Sequence, residues 1–326
     1  MISVFMYAFN ALMPILILIF LGFFLKKINF LTDSFLDVGN RLMFRIALPA
    51  MLFVNVYNGI DSFTDIRWSS AIFAVIMVSI VFILGLVVAI LFVKDKKKKG
   101  VVLQCSFRSN CAIIGLVLAD GLGGPEAVAV MGLLTGFAVI MFNVLAVVSL
   151  TVFTDDEKTS FSEIIRGIIT NPLIIGIAIG LVALLLKGIF PVDTKLKFLF
   201  SATENIGKLA TPLALIVLGG KFSFEAGGGM LREIVIGTVM RVVVAPVLAL
   251  SAAVFLTYRG LVSFGPADFP AFVAVFATPV AVSSAVMAAE MKSDADLAGQ
   301  LVVWTSISSV ITIFVFVVTL RTLGLM

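Results

Sequence analysis

The sequence has 326 residues, of which 61% are hydrophobic and only 13% charged, and its mean hydropathy is +1.20. Soluble domains of this size are far more polar, so the composition predicts an integral membrane protein. Histidine does not occur, which excludes zinc-protease motifs, Ser-His-Asp triads and histidine proton relays. Cys105 and Cys111 lie six residues apart in one hydrophobic stretch, a spacing that suits neither a disulfide framework nor a metal site. We therefore expect no enzyme activity, no cofactor or metal, and no nucleic-acid partner.

Ten hydrophobic stretches follow one another along the chain. A membrane-spanning helix needs roughly 20 apolar residues, so each stretch is predicted to cross the bilayer. The predicted spans lie near residues 5–25, 42–58, 69–93, 101–119, 127–153, 164–186, 198–219, 234–257, 269–289 and 297–320. The first lacks a basic leading segment and is interpreted as a span, not as a cleaved signal peptide.

The Lys and Arg residues of the loops predict the orientation, because cytoplasmic loops are enriched in them. If the N-terminus is outside, the cytoplasmic loops hold more than twice as many basic residues as the external loops. The run from Lys96 to Lys99 between spans three and four contributes most to this difference. The sequence thus predicts a multi-pass protein of the plasma membrane with both termini external.

The two halves of the chain share a pattern. Arg45-Ile-Ala-Leu-Pro49 in span two resembles Lys208-Leu-Ala-Thr-Pro212 in span seven. In spans one and six, a proline is followed eight residues later by a glycine; the pairs are Pro14 with Gly22, and Pro172 with Gly180. An odd number of spans per half makes the two copies cross the membrane in opposite directions, which is the inverted-repeat plan of many secondary transporters.

The predicted fold is therefore an all-α integral membrane protein of ten transmembrane helices in two inverted five-helix repeats. Residues 1–153 form the first repeat, residues 154–163 a cytoplasmic linker, and residues 164–326 the second, inverted repeat.

Polar residues interrupt spans four and nine. Span four contains Arg108, Ser109 and Asn110 in succession, and span nine contains Thr278 and Pro279. One interpretation is that Arg108 bends back to the headgroups while the others bond a neighbouring helix. The other is that both helices break here and line a substrate cavity, which the matching position in the two halves favours.

A broken pair of helices would favour an anion. The free N–H groups and positive dipole ends of two half-helices would point at the substrate. The candidate substrate-binding residues are the polar side chains near the two interruptions, namely Arg108, Ser109, Asn110, Thr278, Pro279, Ser283 and Ser284. Ser283 and Ser284 point in different directions on a helix, so we expect only one of them to reach the cavity.

Four further charged residues lie away from the ends of predicted spans and are candidates for gating or charge relay, namely Arg45, Glu204, Lys208 and Arg241. Glu204 precedes Lys208 by four residues, so the two share a helix face and can neutralise each other. Arg45 and Lys208 are related by the repeat and serve either as gate charges or as interfacial anchors. For Arg241, a structural pairing and a cavity-lining role are both open.

These motifs resemble those of the auxin efflux carrier family, in its bacterial malonate and malate permease branch. The resemblance rests on Arg108-Ser-Asn-x-x-x-x-Gly115, Pro279-Val-Ala-x-x-Ser284 and Pro212-Leu-Ala-Leu-Ile-Val-Leu-Gly-Gly220, and it covers nearly the whole chain. It implies a ten-helix carrier whose spans four and nine unwind and cross at mid-membrane around an organic anion. The family's crossover asparagine corresponds to Asn110 and its span-nine proline to Pro279.

The chain departs from the family pattern in span four. Where the family commonly has Gly-x-Pro, this sequence has Gly115-Leu116-Val117. The first break is therefore expected to rest on Ser109 and Asn110 and not on a proline.

The predicted function is alternating-access transport of a small organic anion, such as a dicarboxylate or an auxin-like carboxylate, across the lipid bilayer. The alternative is a sodium-coupled organic-anion symporter of bile-acid-symporter-like fold. The coupling ion is left open between H⁺ and Na⁺, and the oligomeric state between monomer and homodimer. A membrane-embedded enzyme or a receptor is disfavoured, because the sequence has neither a nucleophile–base pair nor a loop long enough for an output domain.

Overall fold

The computed structural model describes residues 2–58, 68–153, 166, 169–223 and 227–326. Helices make up most of the described part, which contains no β-strand and a single isolated β-bridge. The all-α prediction is therefore confirmed. The linker predicted at 154–163 lies outside the described residues.

Six α-helices lie in the described residues of the first half, 2–58 and 68–153. They are α1 (Ile2–Lys27), α2 (Asp33–Leu42), α3 (Leu48–Asn58), α4 (Trp68–Phe92), α5 (Lys96–Phe107) and α6 (Leu116–Val152). A π-helical turn, Met43–Ala47, joins α2 to α3, and another, Cys111–Gly115, leads into α6. Side-chain caps begin α2 and α5: Thr32 accepts a hydrogen bond from the N–H of Phe35, and Asp95 accepts one from the N–H of Lys98.

The second half of the described chain forms eight α-helices. They are α7 (Pro172–Leu185), α8 (Val192–Lys195), α9 (Lys197–Lys221), α10 (Leu231–Val239), α11 (Ala245–Tyr258), α12 (Asp268–Phe276), α13 (Ser283–Glu290) and α14 (Ala295–Thr322). A π-helical turn, Met240–Val244, joins α10 to α11. Asn171 caps the start of α7, and Asp294 caps the start of α14.

Helix α6 is kinked at Gly124, which has a φ of +65° and lies directly before Pro125. A residue with a side chain rarely adopts this backbone conformation, so glycine suits the position. The kink separates the end of predicted span four from the start of span five.

Four helical stretches of the described chain are long and apolar enough to cross a membrane, namely Trp68–Phe92, Cys111–Val152, Leu231–Tyr258 and Ala295–Thr322. Helix α7 is apolar but shorter. These stretches support the assignment to membrane proteins, while the count of ten spans stays a prediction.

The helices pack into two groups. Helices α1, α3, α7 and α9 form one group, which we call the panel; within it α1 packs along α9, and α3 along α7. Helices α4, α5, α6 and α10 to α14 form the second group, which we call the crossing group. Glycines allow the close approach inside the panel: Gly22 lies on the backbone of Ile216, and Gly176 on the backbone of Pro49.

Gly22→Ala is expected to destabilise the protein. A Cβ atom at this position would overlap the carbonyl oxygen of Ile216, so α1 and α9 would have to separate. Overpacking of this kind costs about 1–3 kcal/mol. Gly132→Ala is the matched control, because a Cβ there meets no atom within 4 Å. The melting temperature of the purified protein should fall for Gly22→Ala alone; equal melting temperatures for both variants would contradict the close packing.

Candidate functional site

Both polar interruptions break their helices. Helix α5 ends at Phe107, Arg108 is extended (φ −78°, ψ 108°), and the helix resumes only at Cys111. Helix α12 ends at Phe276, and α13 begins at Ser283. The predicted interruptions of spans four and nine are therefore present, and the first occurs without a proline.

The two breaks lie directly against each other. The N–H of Asn110 donates to the carbonyl oxygen of Pro279 at 2.9 Å, and Ser109 and Val280 form an antiparallel bridge. The N–H of Val280 donates to Oγ1 of Thr305 on α14 at 3.1 Å. Unwound backbone inside a membrane must find its hydrogen-bond partners within the protein. This pairing supplies such partners to both breaks.

Arg108 points into the protein, with an exposed fraction of 3%. Its Nη2 donates to Oδ1 of Asn143 at 2.7 Å and to Oγ of Ser283 at 2.8 Å. Its Nη1 contacts Oγ of Ser284 at 3.4 Å and Sδ of Met287 at 2.7 Å. These partners are all neutral, and no carboxylate of the described chain pairs with this guanidinium. The snorkelling interpretation of Arg108 is therefore wrong.

Asn110 has an amide nitrogen without a partner. Its Nδ2 is buried and makes no hydrogen bond with any described residue, and the exposed fraction of Asn110 is 4%. A buried donor left unpaired costs about 1–3 kcal/mol. An amide in this state is suited to a ligand that brings its own acceptor.

Arg108, Ser109 and Asn110 share a cavity between the panel and the crossing group. The residues around it come from α3, the first break, α6, α9 and the second break; they are Leu48, Met51, Leu52, Asn55, Arg108, Ser109, Asn110, Cys111, Ala112, Ile113, Val139, Phe142, Asn143, Ala210, Thr211, Ala214, Ala281, Val282 and Ser283. Arg108 is the only charged residue among them. The cavity therefore combines one positive charge and a few polar groups with a largely apolar wall.

The starts of two half-helices meet at this cavity. The helical turn Cys111–Gly115 begins directly after Asn110, and α13 begins at Ser283. N–H groups in the first turn of a helix lack partners within it, and the positive end of the helix dipole lies there. Both ends add to the positive potential that Arg108 creates.

A second cavity lies beside the first, and Ala214 borders both. It lies between α9 and the helices α13 and α14, with Asn40 and Lys221 at its edge. Lys221 Nζ bonds Oδ1 of Asp37 at 2.6 Å, and this hydrogen bond holds the pKa of that carboxyl below its ordinary value. The charge of Lys221 is thus already paired, in contrast to that of Arg108.

Arg241 is buried at the crossing, with an exposed fraction of 1%. Its guanidinium donates to four backbone carbonyls: those of Phe107 (2.8 Å), Thr278 (3.0 Å), Val275 (3.3 Å) and Phe276 (2.6 Å). Of the two roles left open for Arg241, the structure favours the structural one, because the side chain contacts backbone and does not line the cavity.

The remaining candidates of span nine are used differently. Ser283 lines the cavity, whereas Ser284 is fully buried, so one of the two faces the cavity as expected. Thr278 donates its hydroxyl to the carbonyl of Ala274 at 2.9 Å and does not border the cavity. Pro279 contributes its carbonyl oxygen to the pairing with Asn110.

Three of the candidate gating residues lie on the outer surface. Glu204 and Lys208 form the predicted ion pair at 2.9 Å, with side chains 38% and 65% exposed. Arg45 is also exposed, on the π-helical turn between α2 and α3. None of the three borders the cavity described above, and a gating role for them stays a prediction.

Asn143 and Thr305 were missed from the sequence. Asn143 orients Arg108 from α6, and Thr305 binds the second break from α14. The available signal was that each is a polar residue within a hydrophobic span. This signal is not specific, because polar residues in such spans commonly form hydrogen bonds between helices.

Comparison with known proteins identifies a family for this chain. The model of the membrane transport protein family, to which the auxin efflux carriers belong, matches residues 7–163 and 157–317. An uncharacterized transporter of Methanothermobacter thermautotrophicus is 22% identical over 318 residues, which are 95% of this chain and 97% of that protein. The chain therefore belongs to the membrane transport protein family, as its motifs predicted.

Proposed function

We propose that this protein is an alternating-access carrier for a small organic anion that binds between the two helix breaks. One observation carries the proposal: the buried Arg108 guanidinium has only neutral partners, beside the unpaired amide nitrogen of Asn110. A buried charge without a counter-charge is costly, and a carboxylate bound in the cavity would offset that cost. A carboxylate that displaced Ser283 from Nη2 and Met287 from Nη1 would accept parallel hydrogen bonds from Arg108, and Asn110 would donate a further one.

The lining favours an anion with one carboxylate and an apolar body. Arg108 supplies the single positive charge among the described residues of the cavity, and Leu48, Leu52 and Phe142 contribute to its apolar wall. A second carboxylate inside the cavity would lose its hydration without meeting a cation, which costs several kcal/mol. Of the two substrate types that the sequence suggested, an auxin-like carboxylate thus fits better than a dicarboxylate.

The position of the cavity supports alternating access. Its walls come from both helix groups, with α3 and α9 on the panel side and both breaks on the other side. Beside this boundary, Nδ2 of Asn40 on α2, a helix that packs against α9 of the panel, donates to Oε1 of Glu290 on α13 at 2.8 Å. A movement of the crossing group along the panel would break this bond and carry the site toward the other face of the membrane.

The mirrored packing of the panel supports the inverted repeat. In one half Gly22 of α1 lies on α9, and in the other Gly180 of α7 lies on α3, against the carbonyl of Phe53. These two glycines are the ones that the sequence pattern relates. We therefore propose ten spans in two inverted repeats, with both termini external and the protein in the plasma membrane.

Ligand-induced stabilisation of the purified protein tests the substrate class. Indole-3-acetate and phenylacetate are expected to raise the melting temperature and to bind at least about ten-fold more tightly than malonate, a difference of roughly 1.4 kcal/mol. Indole-3-acetamide keeps the ring but has no charge, so we expect it to give no shift.

Uptake of the binding anion into proteoliposomes then tests transport. Accumulation in exchange for the same unlabelled anion inside is the expected result. Tighter binding of malonate would contradict the one-carboxylate proposal, and equal binding of the uncharged amide would contradict an anion site altogether.

A further inference from the structure

The surroundings of Arg241 have the composition of a cation site. Four backbone carbonyl oxygens lie 2.6–3.3 Å from its guanidinium nitrogens. One belongs to Phe107, the last residue of α5, and the others to the end of α12 and the break that follows it. The negative ends of two half-helix dipoles therefore converge on one point.

Carbonyl groups at half-helix ends are what carriers with interrupted helices use to coordinate a coupling Na⁺. At the crossing of this protein, a guanidinium occupies that position. Arg241 has no carboxylate partner in the described chain, so these dipoles and carbonyls are what balance its charge.

We propose that Arg241 is a tethered cation that fills the cation position at the helix crossing. The arginine holds the ends of α5 and α12 together permanently, as a bound Na⁺ would do only when present. It thereby positions both breaks, including Asn110, without bordering the cavity. If the proposed function is correct, anion binding at the crossing needs no free Na⁺, which argues against the sodium-coupled alternative at this position.

The two buried arginines then have separate tasks. Arg108 has polar side-chain and sulfur partners and borders the cavity, so an incoming anion can reach it. Arg241 is surrounded by main chain and does not border the cavity. A positioning role for Arg241 follows, distinct from direct contact with the substrate.

Chemical rescue of Arg241→Ala tests this assignment. The substitution leaves four carbonyls around a space that a small cation can enter. In N-methyl-D-glucamine chloride the variant is expected to melt well below the wild type. Replacing this salt with sodium chloride or dilute guanidinium chloride, at equal ionic strength, should raise its melting temperature by about 2–4 °C or more.

The matched control is Arg232→Ala, which removes an exposed arginine and should show the same melting temperature in all three salts. The wild type should likewise show no difference between sodium and N-methyl-D-glucamine. An Arg241→Ala variant that folds but responds to neither cation would overturn the proposal.

If Arg241→Ala does not fold, the wild type decides the question. Its stabilisation by indole-3-acetate should be equal in sodium and in N-methyl-D-glucamine, and a stabilisation that requires sodium would refute the tethered cation. The salt response of Arg241→Ala needs no substrate, so it stays informative even if none of the tested anions binds and the proposed function fails.

Discussion

Arg108→Gln is expected to weaken anion binding by about 30-fold or more. Removing one partner of a buried, hydrogen-bonded charge pair costs roughly 2–5 kcal/mol, and 1.4 kcal/mol is a factor of ten. Glutamine keeps hydrogen-bonding capacity toward Asn143 and Ser283 but loses the charge. The measurement is the dissociation constant of indole-3-acetate, from calorimetry or from the ligand dependence of the melting temperature.

Two further variants distinguish the effect of losing the charge from an effect on folding. Arg108→Lys keeps the charge without the planar fork, so its affinity should fall between those of the wild type and Arg108→Gln. Arg232→Gln makes the same chemical change at an exposed site and should bind normally. Wild-type affinity in a folded Arg108→Gln would refute the role of this arginine.

The sequence predicted the site best where polar residues occur inside a hydrophobic span. Three consecutive polar residues, Arg108 to Asn110, inside a hydrophobic stretch predicted a break in span four, and the break is there. Proline is a usual signal for such a break, but here the backbone of span nine pairs with the unwound segment instead. Pairing of this kind links residues that are about 170 positions apart, and no local pattern reveals it.

The direction of Arg108 could not be predicted. A buried and a snorkelling arginine have the same surroundings in sequence, and the difference is set by Asn143 and Ser283, which come from other helices. The partners of Arg241 were harder to predict, because all four are main-chain carbonyls. Every residue has a backbone carbonyl, so the residue types in the sequence do not indicate which carbonyls accept these hydrogen bonds.

Ion pairs between residues that are close in sequence were easier to predict. The four-residue spacing of Glu204 and Lys208 predicted their ion pair, because spacing along one helix fixes which side chains meet. The spacing did not reveal that the pair lies on the outer surface of the protein. That depends on how α9 packs against α1 and α3, which is a property of the whole fold.

Asn110→Ala is expected to weaken binding of indole-3-acetate about ten- to a hundred-fold. A hydrogen bond to a charged group is worth about 1.5–3 kcal/mol, and the amide of Asn110 would donate one to the anion. The backbone pairing with Pro279 survives the substitution, because it uses the main-chain N–H of residue 110.

Stability separates a ligand-binding Asn110 from a structural one. Its Nδ2 has no hydrogen-bond partner in the described protein, so alanine removes a buried donor that contributes nothing to folding. Without ligand, the melting temperature should therefore stay the same or rise while the affinity falls. A structural asparagine predicts the opposite, a lower melting temperature with normal affinity in the folded fraction. Asn205→Ala, at an exposed position of α9, should change neither quantity.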